Sequence, residues 1–487
     1  MKKYITDNIN IKKNSFIPIM YNIKKIHFVG IGGVGMCGIA AILANSGYYI
    51  TGSDLEKSNF FITNLFDIGI KVFFRHHEDN IKDTDLIVIS SAISKNNPEI
   101  IAAYKKKIPV IHRSKMLAEI MRFFYGIAIS GTHGKTTTTS MITSIYQENG
   151  LDPTFINGGL LRTTKKNFYL GSSQYFITEA DESDASFLEL KPIISVITNI
   201  NNDHMSTYKE NFKNLENYFL KFLHNLPFYG YAILCLDDIH ICNILKKVKR
   251  NIITYGFNKN SDICITNYQQ YKNTGSFNLI RKNKPILTIN LNIPGYHNAL
   301  NATAAFATSQ VEGINEKIAI NALRKFEGTK RRFELLGKFY IQPLNGKKGT
   351  ILLVDDYGHH PTEIKYTIDT IRKGWPQKKI IMIFQPHRYT RTRDLFSEFV
   401  ETLSTVDTLL MLNIYSAGEK PIKDINSLAL INDIYKKKKR SFLIKNNEFL
   451  LKKLTSIVTG NSVILIQGAG NISNIVKKIV YRYFKKV

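Results

Sequence analysis

Twice in this chain a short run of β-branched and aromatic residues ends in a glycine-rich turn and continues with helical spacing. Ile26 to Gly35 reads IHFVGIGGVG, and Ile127 to Thr138 reads IAISGTHGKTTT. A strand that enters a helix through such a turn is the repeating unit of a parallel sheet. The same alternation recurs at 26–31, 48–52, 86–90, 126–130, 194–198, 350–354, 379–384 and 462–466. It predicts an α/β fold with mostly parallel sheets, whose ligands bind at loops after the carboxyl ends of strands. A chain of 487 residues exceeds one ordinary core and suggests about three units. Boundaries are expected near Phe123 to Gly126, just before a new strand, and near Phe333 to Gly337, at a charged cluster. The expected domains are therefore 1–124, Rossmann-like; 125–333, a central P-loop ATPase-like parallel sheet; and 334–487, again Rossmann-like. No solenoid repeat or low-complexity linker interrupts them.

The first turn places Gly30, Gly32 and Gly35 in a G-x-G-x-x-G pattern, with Gly33 between them. Bare backbone there permits a tight turn and lets a diphosphate approach the N–H groups at a helix start. Asp54 ends the next strand about 20 residues on, where dinucleotide folds hold a ribose-binding acid. On this segment alone an NAD-dependent oxidoreductase is a serious reading, although a sugar nucleotide satisfies the same loop.

The second turn, Gly131-Thr-His-Gly-Lys-Thr-Thr137, lacks the first glycine of a full Walker pattern, because Ile129 stands in its place. Its mechanics remain. Backbone amides of Gly131, Thr132, His133 and Gly134 cradle phosphate, Lys135 reaches the outer phosphates, and the Thr136 hydroxyl is a ligand for Mg²⁺. The next strand brings four carboxylates within six residues, Glu179, Asp181, Glu182 and Asp184, which repel one another unless a cation or donors compensate. Thr198 to His204 ends a further strand and makes His204 a metal-ligand candidate. An acidic surface loop and a structural histidine are the alternatives. One chain with two phosphate loops has more than a simple dehydrogenase requires.

A hydrophobic share of 44% with 22% charged residues is that of a soluble protein. No stretch reaches the roughly 18 apolar residues of a membrane span, and the apolar patch from Phe16 to Met20 is too short for a signal peptide. Cys37, Cys235, Cys242 and Cys264 show neither CxxC nor zinc spacing, so they are expected as unpaired packing residues in a reducing compartment. The net charge of +27 raises a nucleic-acid-binding alternative. Lysines are scattered, however, and clusters such as Lys105 to Lys107 lack interleaved aromatics, which favours solvated surface and no nucleic-acid partner.

The segments GIGGVGMCGIA, SGTHGKTTTT, EADESDASF, HNALNA, GTKRRFE, DDYGHHPTE and QPHRYTRT follow in that order. From about Lys24 to the C-terminus the chain resembles the Mur ligase family, and within it the branch that adds L-alanine to UDP-N-acetylmuramate. The resemblance implies a cytoplasmic ATP- and Mg²⁺-dependent ligase of peptidoglycan precursor synthesis, a monomer or homodimer with no membrane partner. The lactyl carboxylate would be activated as an acyl phosphate, and the products would include ADP and phosphate. By resemblance, the first loop with Asp54 holds the UDP-sugar, Lys135 and Thr136 hold ATP and the metal, and Glu179 and His204 ligate metal. Asn298 and Asn301 would contact adenine, while Arg332 and Asp356 would grip nucleotide phosphate and ribose. His359, Arg388 and Arg391 would meet the incoming alanine and the reacting carboxylate. The structural alternatives are helix capping for the asparagines, a surface cation for Arg332 and a turn for His359.

Two departures stand out. Asn201 and Asn202 precede Asp203 and His204 where relatives usually place an acid and a small residue or proline, and Ser206 stands where they often carry Asp. Related ligases commonly use a carbamylated lysine; none is expected here. The tripeptide-recycling ligase of the same family tends to read EADEYD and DDFAHH, whereas this chain has Ser183 and Tyr357-Gly358, which favours alanine.

Overall fold

A computed structural model describes residues 20–57, 60–341, 349–437, 440–458 and 460–487. The apolar patch from Phe16 lies outside the described residues except for Met20.

Three sheets carry the fold. The first is parallel throughout, in the spatial order 71–73, 49–53, 25–29, 86–89, 110–112. Chain direction across it reverses between Lys25–Val29 and Leu86–Ile89, the switch point where α/β sheets open a crevice. The first glycine turn follows Lys25–Val29 and sits at that point. The helix after it, Val34–Asn45, is apolar on nearly every side and buried from Met36 to Leu43. Its Gly38 leaves room for Ile156 and Phe168, to which a β-carbon would come within 3.2 Å.

In the second sheet the strands 251–256, 231–235, 194–197, 125–130, 175–179 and 154–156 lie side by side and parallel. The second glycine turn leaves Tyr125–Ser130, an interior strand, and leads into Lys135–Glu148. That helix opens with four threonines, poor intrinsic helix formers. Burial on every side from Thr136 to Thr143 and back-bonding hydroxyls sustain it: Ser140 Oγ donates to the Thr136 carbonyl and Thr143 Oγ1 to that of Thr139, each at 2.8 Å.

The third sheet has a parallel core, 440–443, 408–411, 379–384, 461–467, 349–356, with Glu334–Ile341 added antiparallel. Alternation along its strands feeds two cores. Leu352, Val354, Met382 and Phe384 pack on one face, and Ile351, Leu353, Ile381 and Ile383 on the other. Strands buried on both sides are continuous apolar runs for this reason.

Compact units divide the chain differently from the expected domains. One comprises Met1–Cys264, Arg281–Lys284 and Asn301–Leu323, and so contains both glycine turns; the other comprises Ile265–Ile280, Pro285–Leu300 and Arg324–Val487. The antiparallel pair Thr274–Arg281 and Leu287–Leu291 falls largely in the second unit. All four cysteines are unpaired, three of them buried. Lys105 to Lys107 are exposed, at and just beyond a helix end. Among the described residues no helix is long and apolar enough to cross a membrane.

Leu353 is fully buried in the third sheet. Leu353→Ala is expected to cost about 2–5 kcal/mol through lost burial and a cavity, read as a lower denaturation midpoint of the full chain.

Candidate functional site

At the first turn Gly30 has φ +79° and donates its N–H to the Ser53 carbonyl at 2.8 Å. Asp54, placed by spacing as a ribose acid, spends its carboxylate on the turn itself. One oxygen accepts from Gly32 N–H at 2.8 Å and the other from Glu56 N–H at 3.0 Å. The Gly32 amide thus already holds an anion, supplied by the protein.

The second turn is clamped by the end of the neighbouring strand. Asn199 Oδ1 accepts from His133 N–H at 2.9 Å, and the Asn199 carbonyl accepts from Thr132 N–H at 3.1 Å. Gly131 has φ +127°, and a β-carbon on it would collide with Thr198 Oγ1. Gly134, φ +85°, meets Asn301 in the same way, with a β-carbon 2.5 Å from Asn301 Oδ1. Asn301 also accepts from Thr138 Oγ1 at 3.2 Å. It therefore braces the turn, and Asn298, one helical turn earlier on Tyr296–Val311, donates to the Pro294 carbonyl at 2.6 Å.

Lys135 Nζ donates to the Gly131 carbonyl at 2.6 Å and to both oxygens of Glu182 at 2.8 and 3.0 Å. Burial would strip the ammonium of its proton, but Glu182 and then Asp181 outweigh it and hold Lys135 above its ordinary value. Burial pushes the Glu182 carboxyl up to about 7 against the pull of Lys135. Tyr208 OH caps the Glu182 carbonyl. Burial would also raise Asp181, yet Lys135 and then Arg113 keep it below the usual carboxylate range.

The two turns line one cleft of about 240 Å³, bordered by Val34, Gly35, Arg113, Lys135, Asn157, Gly158, Glu179 and Asp181. Glu179 Oε1 accepts from Gly158 N–H at 2.5 Å. Arg113 Nη2 pairs with Asp181 Oδ2 at 2.9 Å. Asn157 Oδ1 is buried without a partner among the described residues, an acceptor that a ligand in the cleft would satisfy. Arg113, Asn157 and Gly158 are absent from the site expected from sequence.

His204 caps the short helical turn Met205–Tyr208 with φ +55°, and its Nε2 is 3.5 Å from Asp203 Oδ2. Among the described residues no three His, Cys, Asp or Glu side chains enclose a cation. Thr136 and Glu179 offer hard oxygen donors of the kind magnesium takes, and such an ion would complete its shell from phosphate and water.

The second unit gathers the other candidates. The helix Pro361–Gly374 starts from a capping box in which His360 accepts from Thr362 N–H and Glu363 turns back, accepting from His360 N–H at 3.3 Å and also from His359 N–H at 2.9 Å. His359 lies 5.7 Å from His387 between ring centroids, and His387 stacks on Tyr415 at 5.5 Å. Arg388 is exposed, while Arg391 is buried. Arg332 lies over the Tyr357 ring at 5.2 Å and 3.6 Å from Glu363. Asp356 is fully engaged locally: it accepts from Phe333 N–H at 2.7 Å and from Gly358 N–H and Gln467 Nε2 at 2.8 Å. Sequence reading missed His387, although it stands in the segment QPHRYTRT.

Matches to known proteins cover most of the chain. Residues 25–125 match the Mur ligase family catalytic domain, 129–309 the Mur ligase middle domain, and 331–470 the Mur ligase glutamate ligase domain. The UDP-N-acetylmuramate-alanine ligase of Thermotoga maritima superposes with a TM-score of 0.79 at 27% identity, over 94% of this chain and 99% of that one. A murein peptide ligase of Psychrobacter arcticus gives 0.71 at 23% identity, over 94% and 98%. The UDP-N-acetylmuramate:L-alanyl-gamma-D-glutamyl-meso-diaminopimelate ligase of Neisseria meningitides gives 0.59 at 25% identity, over 63% and 100%.

Burial, with Arg391 and then Arg388 adding to it, pushes the His387 imidazole from 6.5 down to about 4. Between those values the folded chain binds fewer protons than the unfolded one, so stability is full above the higher value and is lost as pH falls towards the lower. Urea titrations between pH 7 and 4.5 should show a steeper loss for the native chain than for His387→Gln.

Proposed function

The chain belongs to the Mur ligase family of ATP-dependent ligases, and from that premise we propose that it joins L-alanine to the lactyl carboxylate of UDP-N-acetylmuramate. The observation that carries this reading is the single cleft shared by both glycine turns. One turn suits the diphosphate of a sugar nucleotide and the other the triphosphate of ATP, so the sugar's carboxylate and the γ-phosphate can meet. The hydride-transfer alternative leaves Lys135, the acidic strand end and the last domain without a purpose. Likeness to the Thermotoga maritima enzyme favours alanine as the amino acid.

An amide does not form from a carboxylate and an amine at neutral pH, because oxide does not leave. Transfer of the γ-phosphoryl group to a carboxylate oxygen gives an acyl phosphate and ADP. The amine of alanine then attacks the acyl carbon, and phosphate departs as the amide forms. Two anions must approach each other in the first step. Lys135 and the amides of Gly131 and Gly134 offset that repulsion and stabilise the transferring charge, while the Thr132 and His133 amides, held by Asn199, fix the shape of the turn. A magnesium ion held by Thr136 and Glu179, with His204 as a further ligand candidate, would supply Lewis-acid neutralisation of the phosphates. Lys135 must exchange Glu182 for phosphate as ATP enters. In the second unit His359, Arg388 and Arg391 are the groups assigned to the amino acid, whose carboxylate a guanidinium holds in a bidentate contact.

Phosphate release from ATP, Mg²⁺ and UDP-N-acetylmuramate, measured with different amino-acid substrates, tests the assignment. Release is expected with L-alanine; release with the tripeptide L-alanyl-γ-D-glutamyl-meso-diaminopimelate but not with alanine would overturn it in favour of the recycling reaction. Lys135→Ala should lower turnover by about a hundredfold or more while UDP-sugar affinity, measured by calorimetry, stays close to that of the native chain.

A further inference from the structure

We propose that Arg113 is the residue that recognises the lactyl carboxylate of the sugar nucleotide, an inference that rests on the ligase reading above. Arg113 directly follows Val110–His112, the last parallel strand of the first sheet, and opens the helix Arg113–Met121. It thus stands at the carboxyl edge of the sheet, where the first glycine turn also lies. Its guanidinium covers that turn: a β-carbon on Gly35 would be 3.0 Å from Arg113 Nη1. Its other arm holds the carboxylate of Asp181 at 2.9 Å.

Charge decides what Arg113 is for. The cleft is bordered by Glu179 and Asp181, and a carboxylate substrate entering it meets two like charges. Two cations line the same space, Lys135 and Arg113. Lys135 belongs to the phosphate turn and is held by backbone oxygens on one side and Glu182 on the other. Arg113 remains. Its planar fork suits a carboxylate better than a point charge does, and it already binds one, from a residue 68 positions away in sequence. The Asp181 side chain borders the cleft, where an incoming carboxylate can displace it from the guanidinium. Gly35 has no side chain to keep the guanidinium from the turn, so Arg113 can stand at the mouth of the cleft beside it.

Calorimetry with paired ligands tests this. UDP-N-acetylmuramate and UDP-N-acetylglucosamine share the uridine diphosphate and the hexosamine, and only the first bears the lactyl carboxylate. The native chain should prefer the first by about tenfold to a hundredfold, the range of a charge-assisted contact. Arg113→Ala should abolish that preference while keeping the affinity for UDP-N-acetylglucosamine, and Arg113→Lys should restore part of it. Asp181→Asn, which removes the internal competitor, should tighten UDP-N-acetylmuramate several-fold and leave the other ligand unchanged. A preference that survives in Arg113→Ala overturns the assignment and leaves the ligase reading standing. Loss of affinity for both ligands in a folded Arg113→Ala chain assigns the guanidinium to the diphosphate and also overturns it. A native chain that does not distinguish the two ligands overturns the ligase reading together with the inference.

Discussion

The contact on which the cleft depends is the one between Lys135 and Glu182. A buried ammonium is unstable unless it is paired, and here two backbone carbonyls and a carboxylate surround it. The lysine ties the turn from Gly131 to the acidic strand end, while Asn199 and Thr198 tie it from the other side. The turn is therefore held in shape by its neighbours, and the amides that would cradle phosphate are arranged before any ligand arrives. Preorganised donors cost no reorganisation at the moment of reaction.

The first turn solves the same problem with less. Its switch-point position opens a crevice, and Ser53 and Asp54 from the next strand fix Gly30 and Gly32 by hydrogen bonds. Gly35 and Gly38, on one helix, then serve two partners, since Arg113 lies over the former and Ile156 and Phe168 pack on the latter. The helix that starts at the first turn thereby carries its N-terminus to the cleft lined by Lys135.

Legibility in the sequence followed the range of the interaction involved. Both turns were readable because a glycine's missing side chain is itself the signal, and the positive φ values at Gly30, Gly131 and Gly134 are what that signal predicts. Central strands such as Lys379–Phe384 were readable as unbroken apolar runs, because both faces are covered. Short strands such as Lys71–Phe73 and Val110–His112 were not, since three residues carry no period. Spacing singled out Asp54 and resemblance Asp356, but neither can say which donors a carboxylate will meet, and both are occupied by backbone amides. Arg113 gave no local sign, because its significance arises only where it meets Asp181.

A common rule connects these sites. Three donors assigned here to substrate anions are already held by the protein's own carboxylates: Gly32 N–H by Asp54, Lys135 by Glu182, Arg113 by Asp181. Gly158 N–H, in the same cleft, is held by Glu179. Binding is then an exchange of anions, and the net gain is the difference between two similar contacts. A ligand with one anionic group gains little from such an exchange, while one that brings several in the right geometry gains at each. The released carboxylates must also be accommodated. Burial favours the neutral form of Glu182 once Lys135 no longer pairs with it, and Glu179, which borders the cleft, would be free to meet a cation on release from Gly158. Placeholders of this kind keep the cations and amides of the cleft charged, dry and oriented between turnovers, and they favour a sugar nucleotide and a triphosphate over simpler anions.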